Sequence, residues 1–418
     1  MEKIHFYHDK LTSLYGCPLV KDDPHLLMHS IKSITKFTED QTKLKEWLRQ
    51  LYSFSMGKVR TTKVGYDEKI DLTGTYNSAL RGLVKEGQID LALKTLRNMQ
   101  EICDSIDAEN ATDLENQVNI ELKTNAYNLI LGSCRTQKDV IIAIELLNEM
   151  NIETSKRSIP LPDDQSFALV IKSLSVMTDM NAAQALADRF MTQYESRVRD
   201  KKIRPSVVVH NAYMNLIINR FGHRKDLVSK CDVLIDRMTK ISNQIRPDSI
   251  TWNLLLKACA NDCFRDPHKQ QEILLYAKTI FDQMRAGTKG ELNDISFQHM
   301  MKCVSSIEDP EERTKEIKDL FSEASKHGFV SAKVLRLLKQ NVSDKDFTSI
   351  VGNGRLADNW LANVTSTIVR YTDFTNGGAN KHARRKGKST SNWAKKQRKR
   401  IESTKERKSA KKLLSLNL

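Results

Sequence analysis

Apolar residues along this chain recur at helical spacing rather than in alternation. In TYNSALRGLVKEGQIDLALKTLRNM (75–99), Tyr76, Leu80 and Leu83 form one stripe, and Ile89, Ala92, Leu93, Leu96 and Met99 form a second. Spacings of three, four and seven residues put each set on one face of a helix. The segment AYNLILGSCRTQKDVIIAIELLNEM (126–150) repeats the pattern without a gap, placing Tyr127, Asn128, Ala143 and Met150 on Tyr76, Asn77, Ala92 and Met99. Aromatic to alanine is 16 residues and aromatic to methionine is 23 in both copies. Such self-similarity marks a repeated helical hairpin.

Weaker copies follow. SFALVIKSLSVMTDMNAAQALADRF (166–190) keeps Phe167 and Ala183. A fourth copy opens at His210–Asn211 and ends on Met238, and a fifth opens at Trp252–Asn253 and closes with Ala277 and Met284. A sixth opens at Phe297–Gln298. The position after the aromatic or histidine falls at 77, 128, 168, 211, 253 and 298, so the unit is about 40 residues with variable loops. The small residue seven before the methionine (92/99, 143/150, 277/284) lets two helices approach closely. Neither helix can bury its stripe alone, so hairpins must stack on hairpins. Pro162, Pro205 and Pro247 precede the first helices of their units, and Asp163, Ser206 and Asp248 follow them as turn or cap residues.

The pattern predicts an all-α fold, a right-handed α-solenoid of stacked helical hairpins with a basic C-terminal tail that is disordered or partly helical. Residues 1–72 form an N-terminal helical cap region, in which Leu44, Trp47, Leu48, Leu51 and Tyr52 make one stripe. Residues 73–330 hold about six units starting near 73, 124, 164, 207, 249 and 294. A C-terminal helical cap covers 331–375, with a helix in 328–340 and a cap element around Trp360 and Val364, and the tail is 376–418. Only 8 prolines and 16 glycines in 418 residues disfavour a turn-rich all-β fold.

Charge changes the picture at one end. Of the net +15, +13 sits between Lys381 and Lys412, where 15 lysines and arginines face only Glu402 and Glu406. The remainder is nearly neutral, so a polyanion on the folded part must be gripped locally. The seven cysteines (17, 103, 134, 231, 259, 263, 303) are scattered and odd in number, which reads as reduced thiols inside a cell. No apolar run approaches the ~20 residues a bilayer requires. The first residues carry Glu2 and Asp9 and no arginine, a poor match to a transit peptide, although an incomplete N-terminus would look the same.

The YN-like opening and the Ala-x6-Met closure resemble those of pentatricopeptide repeat (PPR) proteins over roughly 73–330, in the P-type form but with long inserts such as Glu101–Glu121 and 263–271. In that family the residue after the aromatic and the last residue of the same unit jointly read one base of single-stranded RNA. The resemblance therefore implies RNA-binding pairs Asn77 with Lys123, Asn128 with Asp163, Ala168 with Ser206, Asn211 with Asp248, and Asn253 with Asn293. Gln298 is left without an assignable partner. Asn with Asp looks like the family's uridine-preferring pair and Asn with Asn like its cytidine-preferring pair; the pairs at 77/123 and 168/206 match neither. Independently, an asparagine amide offers a donor and an acceptor to a base edge. The competing reading is an asparagine that merely caps a helix. Four copies at one aligned position argue against it.

In the tail, Lys395, Lys396, Arg398, Lys399 and Arg400 belong to a run that reads either as a solvated segment or as a sequence-independent phosphate grip beside Trp393. The same run also resembles a nuclear-import signal. Cys259, Cys263 and His268 have nearly metal-like spacing, but four ligands are wanted and no second pair is close. His5, His8, His25 and His29 lie among ordinary helical residues. No phosphate loop, dinucleotide fingerprint or nucleophile elbow is present. Paired acids such as Glu311–Glu312 suit helix starts.

These features imply a protein that is not an enzyme, with no cofactor and no metal. Its partner is single-stranded RNA, with ribonucleoprotein components as further partners, no membrane association and a monomeric state. The resemblance implies processing, stabilisation or translation of mitochondrial or plastid transcripts, with nucleus or cytoplasm as the other compartments. The alternative is a protein-binding α-solenoid scaffold, or an assembly factor acting mainly through its tail.

Overall fold

The computed structural model describes residues 48–49, 51–52, 70–106, 118–152, 159–220, 226–351 and 364. Fourteen α-helices run through these residues. The first-to-second helix pairs are α1 (Leu72–Lys85) with α2 (Ile89–Ile106), α3 (Thr124–Leu131) with α4 (Gln137–Asn151), and α5 (Asp164–Ser173) with α6 (Met180–Arg199). They continue as α7 (Val207–Arg220) with α8 (Leu227–Ile241), α9 (Ser249–Asp262) with α10 (Gln270–Arg285), and α11 (Asp294–Val304) with α12 (Pro310–Lys326). Two further helices, α13 (Ala332–Asn341) and α14 (Asp344–Val351), follow. Extended backbone is limited to β1 (Ile70–Asp71) and β2 (Val118–Asn119), a two-residue parallel pairing that ties the start of α1 to the approach of α3.

Contacts divide the chain into two compact units, residues 1–194 and 195–418. In the first, α1 packs on α2 and α3, and α3 packs on α4 and α5. In the second, α7 packs on α8 and α9, α9 on α10 and α11, and α11 on α12 and α13. Within each unit, therefore, a first helix touches its own partner and the next first helix. This is the nearest-neighbour stacking of an α-solenoid of helical repeats.

The cores follow the period. The two second-helix positions seven residues apart are Ala92/Met99, Ala143/Met150, Ala183/Phe190, Cys231/Met238, Ala277/Met284 and Ile317/Ala324, and every one of these side chains is at most 1% exposed. The last pair reverses small and large, which preserves the combined volume. On the first helices Tyr76, Tyr127, Phe167 and Phe297 are fully buried. Phe297 stands edge-on to Phe281 at 5.2 Å, locking α11 against α10.

Glycine turns close the first hairpin and shape the linker after α10. Gly87 has φ +75°, and Gln88 N–H donates to the Leu83 carbonyl at 2.9 Å while Gly87 N–H donates to Val84 at 3.1 Å, ending α1 as a left-handed glycine does. Gly290, at φ +84°, is constrained twice over, because a Cβ there would lie 2.5 Å from the Ser249 hydroxyl.

Of the anticipated N-terminal stripe, Leu48 and Leu51 are buried, and Tyr52 donates to the Glu101 carboxylate of α2, a bond that holds its hydroxyl at a pKa of about 12. Leu44, Trp47, Trp360 and the whole 376–418 tail lie outside the described residues. Among the described residues no helix is long and apolar enough to cross a membrane.

Candidate nucleic-acid interface

The residue after each aromatic sits one turn into a first helix, and the residue paired with it is the N-cap of the next first helix. Sequence spacing alone brings them together. Asn128 Nδ2 donates to Asp163 Oδ1 at 3.0 Å, Asn211 Nδ2 to Asp248 Oδ1 at 3.0 Å, and Asn253 Nδ2 to Asn293 Oδ1 at 3.2 Å. The two members of each pair come from neighbouring repeats of the same unit.

A third residue completes each arrangement. The hydroxyls of Ser166, Thr251 and Ser296 donate to Asn128 Oδ1 (2.7 Å), Asn211 Oδ1 (2.8 Å) and Asn253 Oδ1 (2.7 Å). These same residues occupy the third helical position and form capping boxes with Asp163, Asp248 and Asn293. One cap side chain thus satisfies the start of its own helix and orients the preceding repeat's asparagine. The amides are 6%, 7% and 4% exposed, and the three hydroxyl-bearing residues are fully buried. In a buried site each polar atom needs a partner, and the triad supplies them.

The amides are not exhausted by this. Each has one N–H and one carbonyl lone pair beyond those engaged. The clamp fixes the plane in which the remaining donor and acceptor point.

The other three positions differ. Lys123 caps α3 without a side-chain bond and pairs with Glu121 at 2.7 Å, and position three of that helix is Ala126. Asn77 consequently has neither cap nor hydroxyl, and its Oδ1 is buried without a hydrogen-bond partner. Ala168 is 5% exposed and has no polar group to offer Ser206. Gln298, unassigned from sequence, precedes α13, whose N-cap is Ser331; the serine caps its own helix through Val334 N–H at 3.5 Å.

Sequence reasoning overlooked the serine and threonine of each triad. The capping-box spacing D-x-x-S, D-x-x-T and N-x-x-S was the available signal. It also overlooked a second strap. Four residues before the asparagine, Thr73 and Ser249 accept from Glu121 N–H (2.8 Å) and Glu291 N–H (2.9 Å), and Thr124 donates to the Leu161 carbonyl (3.1 Å). Each bond pins the incoming linker two residues before the next cap.

Other expectations place elsewhere. Cys259 and Cys263 are buried at the end of α9, and burial drives the Cys259 thiol well above its usual range. Among the described residues no three His, Cys, Asp or Glu side chains gather to hold a metal. Lys395, Lys396, Arg398, Lys399 and Arg400 lie outside the described residues.

The profile described as PPR repeat matches residues 74–103, spanning most of α1 and α2. No curated protein matches the chain. The first hairpin therefore matches a PPR repeat, and the later hairpins repeat its helices and buried positions.

Proposed function

We propose that the protein binds single-stranded RNA along its layer of first helices and acts without catalysis in the processing, stabilisation or translation of organellar transcripts. The observation that carries this reading is the oriented amide. At three interfaces an asparagine is held in one pose by a cap and a hydroxyl, with a donor and an acceptor left over for a base edge. The clamp also links repeats mechanically, which is reason enough for asparagine to recur. The support for RNA is therefore the leftover hydrogen-bonding capacity, together with the PPR signature. Asn128 with Asp163 and Asn211 with Asp248 would favour uridine, and Asn253 with Asn293 cytidine. Asn77, free of the clamp, would contact its base without a cap partner. The lysines and arginines of 395–400 would add affinity that ignores sequence.

The test exploits a substitution this chain already contains. Asp163→Asn with Asp248→Asn converts two interfaces to the chemistry of the third, and asparagine caps helices as well as aspartate does, so the fold survives. Selection of bound RNA from random pools should then move from uridine toward cytidine at two positions, by roughly tenfold each, the equivalent of about 1.4 kcal/mol. An unaltered base preference in the folded double variant would remove the pairs from recognition.

A further inference from the structure

Four residues beyond the position after each aromatic, one turn further along the first helix, the chain places Arg81, Lys172, Lys257 and Lys302 in four of the six repeats; of these, Lys257 follows a clamped asparagine, Asn253. In the second unit this position has a distinctive surrounding. Lys257 Nζ of α9 donates to Asn215 Oδ1 of α7 at 3.3 Å and also to Asn219 Oδ1. Lys302 Nζ of α11 donates to Asn261 Oδ1 of α9 at 3.0 Å. Each ammonium therefore reaches back over the preceding repeat and is held by neutral amide oxygens. Neither has an ion-pair partner among the described residues, and both side chains are only partly exposed.

An amide fixes a cation's position without cancelling its charge. Burial, and then the charges of Lys302 and Lys333, push the Lys257 ammonium below its ordinary value. His299, 9% exposed, is kept neutral by burial and by the same three lysines, with a pKa of about 3, and its Nδ1 lacks a hydrogen-bond partner. Partly buried like charges without counter-ions are unfavourable unless an anion joins them. Beside the clamped Asn253 amide, that anion is readily supplied by the strand whose bases the amides would meet.

We infer that Lys257 and Lys302 form a phosphate track that grips phosphodiesters of the bound strand, with Lys257 one helical turn from the clamped Asn253 amide. The inference rests on the RNA reading for the source of the phosphate, and on the amide-held geometry of the Lys257 and Lys302 ammoniums for the site itself.

The experiment compares the full chain with Lys257→Gln/Lys302→Gln, whose amides keep a donor for Asn215 and Asn261. Affinity for a uridine-rich single-stranded RNA is measured between about 50 and 200 mM salt. Each phosphate contact on a single strand contributes about 0.7 to the slope of log affinity against log salt, so the double variant should lose about 1.4 of slope. It should weaken uridine-rich and cytidine-rich strands alike. Lys257→Arg/Lys302→Arg should keep the slope. Lys240→Gln/Lys326→Gln, which removes the same charge from exposed positions on second helices, should keep it too. The basic tail is common to every variant and cancels in the comparison.

An unchanged slope in a Gln variant with native helical circular dichroism overturns the track while leaving RNA binding intact. If the parent chain binds no RNA, the RNA reading fails, and melting in inorganic tripolyphosphate decides the site separately. A thermal upshift lost in Lys257→Gln/Lys302→Gln sustains the track; an equal upshift in both chains overturns it.

Discussion

Arg97, Lys278 and Arg285 on second helices sit against carboxylates, whereas Lys257 and Lys302 on first helices of the second unit are held by amide oxygens. In the first unit Arg97 of α2 forks onto Glu149 of α4, with one bond of 2.7 Å. In the second, Arg285 of α10 holds Glu323 of α12 through two bonds of 2.8 Å, and Lys278 pairs with Glu316. A cavity of about 460 Å³ beside α8 and α10 is walled by Asp226, Asp232, Asp262, Asp266 and Glu272, a lining that repels anions. On α9 and α11, by contrast, Lys257 and Lys302 reach only amide oxygens. Arg97, Lys278 and Arg285 are neutralised by neighbouring carboxylates, whereas Lys257 and Lys302 keep their positive charge open beside amides. One repeat period thus carries two electrostatic designs, and only one of them suits a polyanion.

The polar bonds of the two layers should differ in energy as well as in charge. Asn211→Ala removes a charge-assisted bond to Asp248 and the acceptor of the Thr251 hydroxyl at a site 7% exposed. Hydrogen bonds to charged groups contribute about 1.5–3 kcal/mol, and stranding a buried partner costs about 1–3 kcal/mol. A loss of about 3 kcal/mol in urea unfolding is expected. Thr251→Val should give about half of that, because Asp248 keeps its bonds to Asn211 and to the backbone of α9. A loss below about 1 kcal/mol for Asn211→Ala would mean that the clamp orients without stabilising.

Much of this architecture was readable from residues alone, and the boundary of what was readable is physical. The period survived because second-helix positions such as Ala92 and Met99 are buried in every unit, so helical spacing reports them directly. The Asn–Asp pairing was accessible through the family resemblance. The roles of Ser166, Thr251 and Ser296 were harder to see, since a small hydroxyl residue in a first turn looks like an ordinary cap until the neighbouring repeat is in place. The bonds of Lys257 to Asn215 and Asn219 span about one repeat of sequence and leave no local signature.

The first helices also bury two neutral histidines. His210 is 1% exposed, and burial lowers its pKa to about 4; Glu195 stands 3.9 Å away, but Arg237 already engages that carboxylate at 2.6 Å. For His299 the folded value is about 3. Because the folded values lie below the unfolded 6.5, the unfolded chain binds more protons in acid. Stability is therefore full above pH 6.5 and falls as pH drops toward the folded values. At pH 4.5 each histidine should cost on the order of 2 kcal/mol. His299→Gln should flatten the profile of urea midpoint against pH between about 6.5 and 4.5 by about half. A profile identical to the parent's would show that His299 is protonated within the fold.

The smallest effect belongs to the second layer. Glu323→Gln removes the partner of Arg285, whose side chain is 47% exposed against 24% for the glutamate. The carboxylate raises the guanidinium's already high pKa, but the arginine is charged with or without it, so the pair contributes only its screened attraction. A destabilisation of about 0.5 kcal/mol at low salt is expected, shrinking further at about 1 M salt, where screening acts over about 3 Å. RNA affinity should move far less than in Lys257→Gln/Lys302→Gln, although Glu323→Gln makes the chain one unit more positive. That pairing separates net charge from placed charge. If freeing Arg285 strengthened binding as much as losing one track lysine weakened it, the polyanion would be responding to the whole molecule's field, and the contrast between the layers would carry no function.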